Sequence, residues 1–375
     1  MYEIYFQFVR FSLGLDEGKQ FLDGTALREF DWNDFLEFAK RQTLLGVVFE
    51  GVQRLPKEVA PSRDLLLGWF AHSQQIAKRN QVLNKASVFI YNKVRSEGEA
   101  CCILKGQGNA LLYPNPSSRT PGDVDVWIDA SRERIRELAA SITREVGRVE
   151  EESYNHIVLS VKGVTMELHS TPAILSSPIY NKRLQHWLSQ EAAEQCSHQV
   201  ELPRQVGVIA VPTRSFNIIY QLLHLYHHFF YEGVGLRQIL DYYFVVKSGK
   251  SGATDSAALQ KMLNKLGLWK FAGAVMFVLH MVLGLEEKDM IAPMDKRRGR
   301  LLLDEILLGG NFGKYDERHA WGRDKADADG FKHGALGHNL LRLYRDARLL
   351  RYYPSEALSE PFFRIWHFFW RKKIQ

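Results

Sequence analysis

Between residues 81 and 170 the hydrophobic positions change period repeatedly, and the changes outline a unit of alternating helices and strands. From Gln81 to Arg95, Leu83, Ala86, Phe89, Ile90 and Val94 recur at helical spacing and predict an amphipathic helix. Ala100 to Leu104 is a short apolar run, predicted as a buried strand that ends at Lys105-Gly106. Gly108 to Tyr113 predicts a helical turn or two, halted by Pro114 and Pro116, which lack the N–H a helix needs. Val124 to Ile128 predicts the next strand, and Ser131 is placed to cap a helix running to about Val146. His156 to Val161 and Val164 to Leu168 then predict a hairpin that turns at Lys162-Gly163.

The flanks read as helical. In residues 1–80, Asp31-Trp32-Asn33-Asp34 can cap a helix through Leu36, Phe38 and Ala39, and Leu65 to Asn80 continues in helical style. After Val211-Pro212-Thr213, helices are predicted over 216–231, 236–246, 257–266 and 271–283. Ser248 to Thr254 reads as a loop, and 309–337 as irregular and exposed. Ala272 to Leu285 is apolar but shorter than the roughly 20 residues that span a bilayer, so a buried helix is expected and no transmembrane segment. The expected fold class is α/β (α+β), a core with a small mixed sheet over 81–212. Helical regions flank it at 1–80 and 213–375.

Chemistry concentrates on the predicted strands. In Gly122-Asp123-Val124-Asp125-Val126 the side chains alternate, so Asp123 and Asp125 share one face while the valines enter a core. Glu167, between Met166 and Leu168, also projects away from the core. A bare Asp-x-Asp is commonly a turn or a solvated edge. The glycine at 106, the intervening helix and Glu167 at the end of a hairpin favour a metal triad instead. Three hard oxygen ligands suit Mg²⁺ or Mn²⁺ with substrate phosphates completing the shell. Two such ions about 4 Å apart can clamp both oxygens of a displacement at phosphorus.

Lys105, Gly106, Arg119, Gly122 and Arg237 are the candidate phosphate contacts, Lys105 alternatively a contact of the core carboxylates, and His169, on the face of Glu167, is a candidate to order that carboxylate, touch phosphate or act as a base. His156 is a weaker candidate of the same kind. Asp129 is in phase with Asp123 and Asp125 but lies at the strand exit, where a turn role is expected. His224 and His228 have the four-residue spacing of zinc ligands but lack the glutamate of the zincin motif, so packing histidines are the plainer reading. Arg237 and Asp241 are also four apart; they either pair along their helix or reach the site.

Leu104, Lys105, Gly106, Tyr113, Pro114, Pro116, Arg119, Gly122, Asp123, Asp125, Glu167 and His169 together resemble the bacterial family of uncharacterised nucleotidyltransferases, a branch of the polymerase-beta-like superfamily. Gly235-Leu236-Arg237-Gln238 with Asp241 extends the likeness. Gly106-Gln107 departs from the Gly-Ser or Gly-Gly usual in the wider superfamily. The resemblance implies nucleotidyl transfer from a nucleoside triphosphate, with Asp123, Asp125, Glu167 and His169 as catalytic residues and the three carboxylates as metal ligands. It leaves the acceptor open among small molecules, sugars, proteins and RNA. The readings held against it are a non-catalytic nucleotide-binding module on the same fold and a histidine-based metal protein.

Composition adds bounds. With 375 residues, 46% hydrophobic and 12% aromatic, the chain can bury a sizeable core. A net charge of +6 permits an anionic partner without marking a nucleic-acid binder. Cys101, Cys102 and Cys196 form no disulfide framework, and the opening residues lack a secretory signal, so a cytoplasmic location is expected. At the other end, Leu340 to Arg351 interleaves arginines with leucines, and Pro361 to Trp370 is dense in aromatics before Arg371-Lys372-Lys373. A packed terminal helix is the plain expectation there, with peripheral contact to a membrane or partner as the alternative.

Overall fold

The computed structural model describes residues 2–15, 30–249, 256–316 and 335–374. Five strands form one mixed sheet: β1 (Cys101–Leu104), β2 (Val124–Ile128), β3 (Gly147–Glu152), β4 (His156–Val161) and β5 (Val164–His169). Their spatial order is β1-β2-β5-β4-β3, with β2 and β5 parallel and the other neighbours antiparallel. The chain is thus an α/β (α+β) protein with helical regions toward both ends.

Strand alternation divides the sheet into two faces with different neighbours. Val124, Val126, Ile128, Leu159, Met166 and Leu168 enter a core shared with Leu83, Ile90 and Val94 of the Arg63–Ser96 helix and Ile135, Leu138 and Ile142 of the Arg132–Val146 helix. Ser131 caps the latter helix, its Oγ accepting from the Arg134 N–H at 3.2 Å. Cys102, Leu104 and Trp127 point the other way, into a larger core. There Trp127 stacks on Phe216, with ring centroids 5.6 Å apart, and Phe216 on Trp187 at 4.8 Å. The functional side chains share this second face.

The larger core runs through both helical flanks, joining Phe8, Phe35 and Trp69 to Leu222, Ile239 and Val275. Polar ties join the same elements: Gln42 Nε2 donates to the Ile306 carbonyl at 2.9 Å, and Gln42 Oε1 accepts from the Leu236 N–H at 2.9 Å. The Arg63–Ser96 helix passes residue 80 without a break. Asn80 is buried and ties down the loop before β2, donating to the carbonyls of Ser117 at 3.1 Å and Arg119 at 2.8 Å.

The turn between β4 and β5 has positive φ at Lys162 (50°) and Gly163 (76°), the backbone of a two-residue hairpin turn. The Pro178–Ser197 helix, the β6 (Gln199–Leu202) and β7 (Gly207–Ala210) hairpin and β3 are elements the sequence pattern did not announce. Of the expected loops, residues 250–254 and 317–334 lie outside the described residues, while Asn311–Gly313 forms a short 3₁₀ turn. Among the described residues no single helix is long and apolar enough to cross a membrane. The apolar Trp269–Leu283 helix buries eleven of its fifteen residues.

Candidate active site

Strand register builds the site. Asp125 on β2 lies beside Glu167 on parallel β5 and beside Leu104 on antiparallel β1, so Lys105 emerges next to Asp125. His169 lies directly opposite His156 across the β4–β5 ladder. Asp123, at the head of β2, completes the group: one oxygen from each of Asp123, Asp125 and Glu167 lies within 4.8 Å of the other two. These residues open into a cavity of about 360 Å³, whose other wall comes from the Arg214–Tyr231 and Leu236–Lys247 helices.

The charges are mutually dependent. Asp125 is buried, yet Lys105 Nζ at 2.9 Å and His169 Nε2 at 3.1 Å hold it well below the usual carboxylate range, outweighing the opposing effect of burial. Burial alone would lower His169, but its hydrogen bonds to Asp125 and to Glu167, 3.3 Å away, raise it to about 9. His156 is pushed down to about 4 by burial and then by the charge on His169. Asp123 is pushed up to about 6, chiefly by the Asp125 charge and then by burial. Lys105 has φ 51° and ψ −123°, a conformation that costs an L-residue about 1–3 kcal/mol and tends to occur at functional sites.

The all-oxygen donor set fits a hard divalent cation, and the raised Asp123 is the signature of a carboxylate cluster short of positive charge. A folded-state value above the ordinary one means the group contributes stability at low pH that is lost as pH rises through about 6. A cation bound between the carboxylates replaces that lost proton. The gain in melting temperature from Mg²⁺ or Mn²⁺ is therefore expected to be small at acid pH, to grow as pH rises toward about 6 and to level off above it. A pH-independent gain in a thermal-shift titration would place cation binding elsewhere.

Arg119 and Arg237 line the same cavity, but Arg119 is already engaged. Its Nε and Nη2 donate to the two oxygens of Asp241, each at 2.7 Å, and the Tyr113 hydroxyl donates to Asp241 at 2.7 Å. The Arg119 Nη1 has no protein partner. Arg237 Nη1 donates to the Thr120 carbonyl at 3.2 Å, its Nε has no protein partner, and a Cβ placed on Gly122 would lie 4.0 Å from its Nη1. Asp241 therefore pairs with Arg119 across the cleft and not with Arg237 along its own helix. With Asp241 committed to Arg119, the Arg237 guanidinium leaves positive charge on this wall.

Other candidates sort by position. Gly106 and Gly122 line the cavity, whereas the Gln107 side chain turns away to Asn84 on the Arg63–Ser96 helix. Asp129 is outward at the strand exit, its N–H donating to the Ala100 carbonyl at 2.9 Å. His224 and His228 bring their Nε2 atoms to 3.0 Å, but among the described residues they belong to no group of three metal ligands. They line the cavity with His227 and Glu232. His156, Glu167 and His169 do form a second such group, with Glu167 common to both. Tyr220, Gln221, Asn155 and Phe312 are cavity residues that no sequence motif marked.

The site is thus a three-carboxylate cleft on a mixed sheet, walled by helices and rich in cationic side chains. Residues 28–284 match the family described as "Uncharacterised nucleotidyltransferase", and the chain belongs to that family. A search of curated proteins found no match. Among solved structures, an antigenic nucleotidyltransferase-like protein from Paracoccidioides brasiliensis aligns over 58% of this chain and 96% of its own, at 14% identity and a TM-score of 0.37.

Proposed function

We propose that the chain is a nucleotidyltransferase that moves a nucleoside monophosphate from a nucleoside triphosphate to an acceptor hydroxyl. The acceptor oxygen bonds to the α-phosphorus and releases its proton to solvent, the bond from that phosphorus to the oxygen bridging it to the β-phosphorus breaks, and pyrophosphate leaves. The observation that carries this reading is the convergence of Asp123, Asp125 and Glu167 within 4.8 Å in a cleft that also holds Lys105. Membership of the nucleotidyltransferase family supports it.

Asp123, Asp125 and Glu167 would hold Mg²⁺ or Mn²⁺, which when bound supplies Lewis-acid stabilisation of charge on the phosphate oxygens. The protein's own share is positioning and fixed charge. Lys105 sits at hydrogen-bond distance from Asp125, where it orients the carboxylate and presents an ammonium to phosphate. His169 bridges Asp125 and Glu167 and so fixes their spacing. Arg119 and Arg237 offer unpartnered guanidinium nitrogens to the distal phosphates, and Gly106 and Gly122 leave room for close approach. The buried free thiols of Cys101, Cys102 and Cys196 support a reducing, cytoplasmic setting.

The test is transfer of label from α-labelled and γ-labelled nucleoside triphosphates, with Mg²⁺ or Mn²⁺ and cell extract as acceptor source. Label from the α position with release of pyrophosphate is expected; transfer from the γ position alone sinks the reading in favour of a kinase. In parallel, Lys105→Ala is expected to weaken triphosphate binding about tenfold to a hundredfold, the worth of one charge-assisted hydrogen bond. A lower melting temperature with unchanged triphosphate affinity would make Lys105 only a partner of Asp125.

A further inference from the structure

The two last helices, Ala335–Leu349 and Pro354–Ile374, carry an outward surface that the catalytic reading does not use. On the second, Leu358, Phe362, Ile365 and Phe369 recur at steps of four, three and four, so they form one stripe about 16 Å long. They are 57%, 74%, 57% and 59% exposed. On the first helix Leu340, Leu343 and Tyr344 are exposed as well. Contiguous exposed apolar surface of this kind marks a site of interaction.

Charge identifies the occupant. The side-chain carboxylates of these two helices are Asp346, Glu356 and Glu360, and all three are turned inward. Glu356 accepts from the Ser176 N–H at 2.8 Å, and Glu360 pairs with Arg342 at 2.7 Å and Arg364 at 3.0 Å. The outward surface thus carries apolar side chains with no carboxylate among them, and the stripe runs into Arg371-Lys372-Lys373, where Lys372 is exposed. A second copy of the chain seated on the stripe would bring like charges together without acids to offset them. An anionic surface meets no such repulsion.

We propose that this face docks on an anionic lipid bilayer, with the stripe lying in the plane of the interface and the basic end on the headgroups. One flank of the helix, beside the stripe, packs on the catalytic unit: Trp366 and Trp370 lie against Tyr154 with centroids 4.9 and 5.4 Å apart, and the Arg132 guanidinium lies 4.3 Å from the Trp370 ring. Tyr154 immediately precedes Asn155 and His156 of the cavity wall.

The experiment is co-sedimentation of the full chain with vesicles of pure phosphatidylcholine and with vesicles of phosphatidylcholine doped with phosphatidylglycerol. Binding is expected to the doped vesicles only and to fall with added salt. The Phe362→Glu, Ile365→Glu double variant is expected to lose about tenfold or more of that binding, because each change puts an anion where an apolar group entered the interface. Its circular dichroism should match the parent, since both side chains are exposed. Lys372→Glu should weaken binding less. Equal sedimentation of parent and double variant would overturn the proposal. So would a dimer in light scattering that the double variant abolishes while neither protein sediments, since the stripe would then be covered by a second copy.

Discussion

Asp123→Asn is expected to raise the melting temperature of the metal-free chain by about 2 °C while lowering nucleotidyl transfer roughly a thousandfold. The two effects share one cause. Asp123 ionises against the Asp125 charge, so removing its own charge relieves repulsion. Its open side lets solvent screen the effect, which leaves about 1 kcal/mol of gain. The same charge is a ligand in the proposed chemistry, and its loss withdraws about 4 kcal/mol of stabilisation from the transition state. Asp125→Asn should abolish transfer as well but with the opposite effect on stability. That carboxylate is the partner of both Lys105 and His169, so neutralising it takes the ion pair from buried Lys105 and leaves His169 with Glu167 alone. Calorimetry of the metal-free variants with a turnover assay checks the pair. Two variants that shift stability in the same direction would show that the charge arrangement drawn here is wrong.

What was legible in the sequence was whatever a strand's period of two dictates. Asp123, Asp125 and Glu167 were readable as outward neighbours because Val124, Val126, Met166 and Leu168 had to turn inward, and the structure buries all four. The position of His156 opposite His169 follows from a two-residue turn at Lys162-Gly163, so the hairpin itself contained that pairing. In contrast, β3 reads Gly-Arg-Val-Glu-Glu-Glu and offers no apolar alternation. It is an exposed edge strand with a register shift between Val149 and Glu151, and charged edges and bulges guard against further pairing instead of advertising a core.

The cavity's second wall was less legible for a related reason. His224, His227 and His228 sit on a helix whose remaining residues are mostly buried, so their spacing alone suited zinc as well as packing. Only the tertiary fold shows that they border the carboxylate cleft. Residues 1–80 and 213–375 were readable as helical but not as contributors to one hydrophobic core, since nothing local in Phe8 or Trp69 names Leu222 or Val275 as a neighbour.

Arg119→Ala is expected to destabilise the chain by about 3–5 kcal/mol and to lower the melting temperature by roughly 5 °C or more. The sequence offered Arg119 as a phosphate contact, but Asp241, 122 positions away, accepts two hydrogen bonds from it in a buried pair. Burial would raise the Asp241 carboxyl, and Arg119 overrides this to hold it low. Without Arg119 the carboxylate keeps Tyr113 but loses both charge-assisted bonds. The double change Arg119→Met with Asp241→Leu removes both charges and should recover much of the loss, because a buried pair is costly mainly when broken on one side. Arg237→Ala is the complementary case. Its guanidinium is disfavoured by burial and by neighbouring Arg119, and its Nε has no protein partner. It should therefore cost little stability and instead reduce triphosphate affinity about tenfold. Denaturant melts and triphosphate titrations on the three variants separate the roles. If Arg119→Ala melts like the parent while Arg237→Ala unfolds, the pairing argued for this wall is inverted.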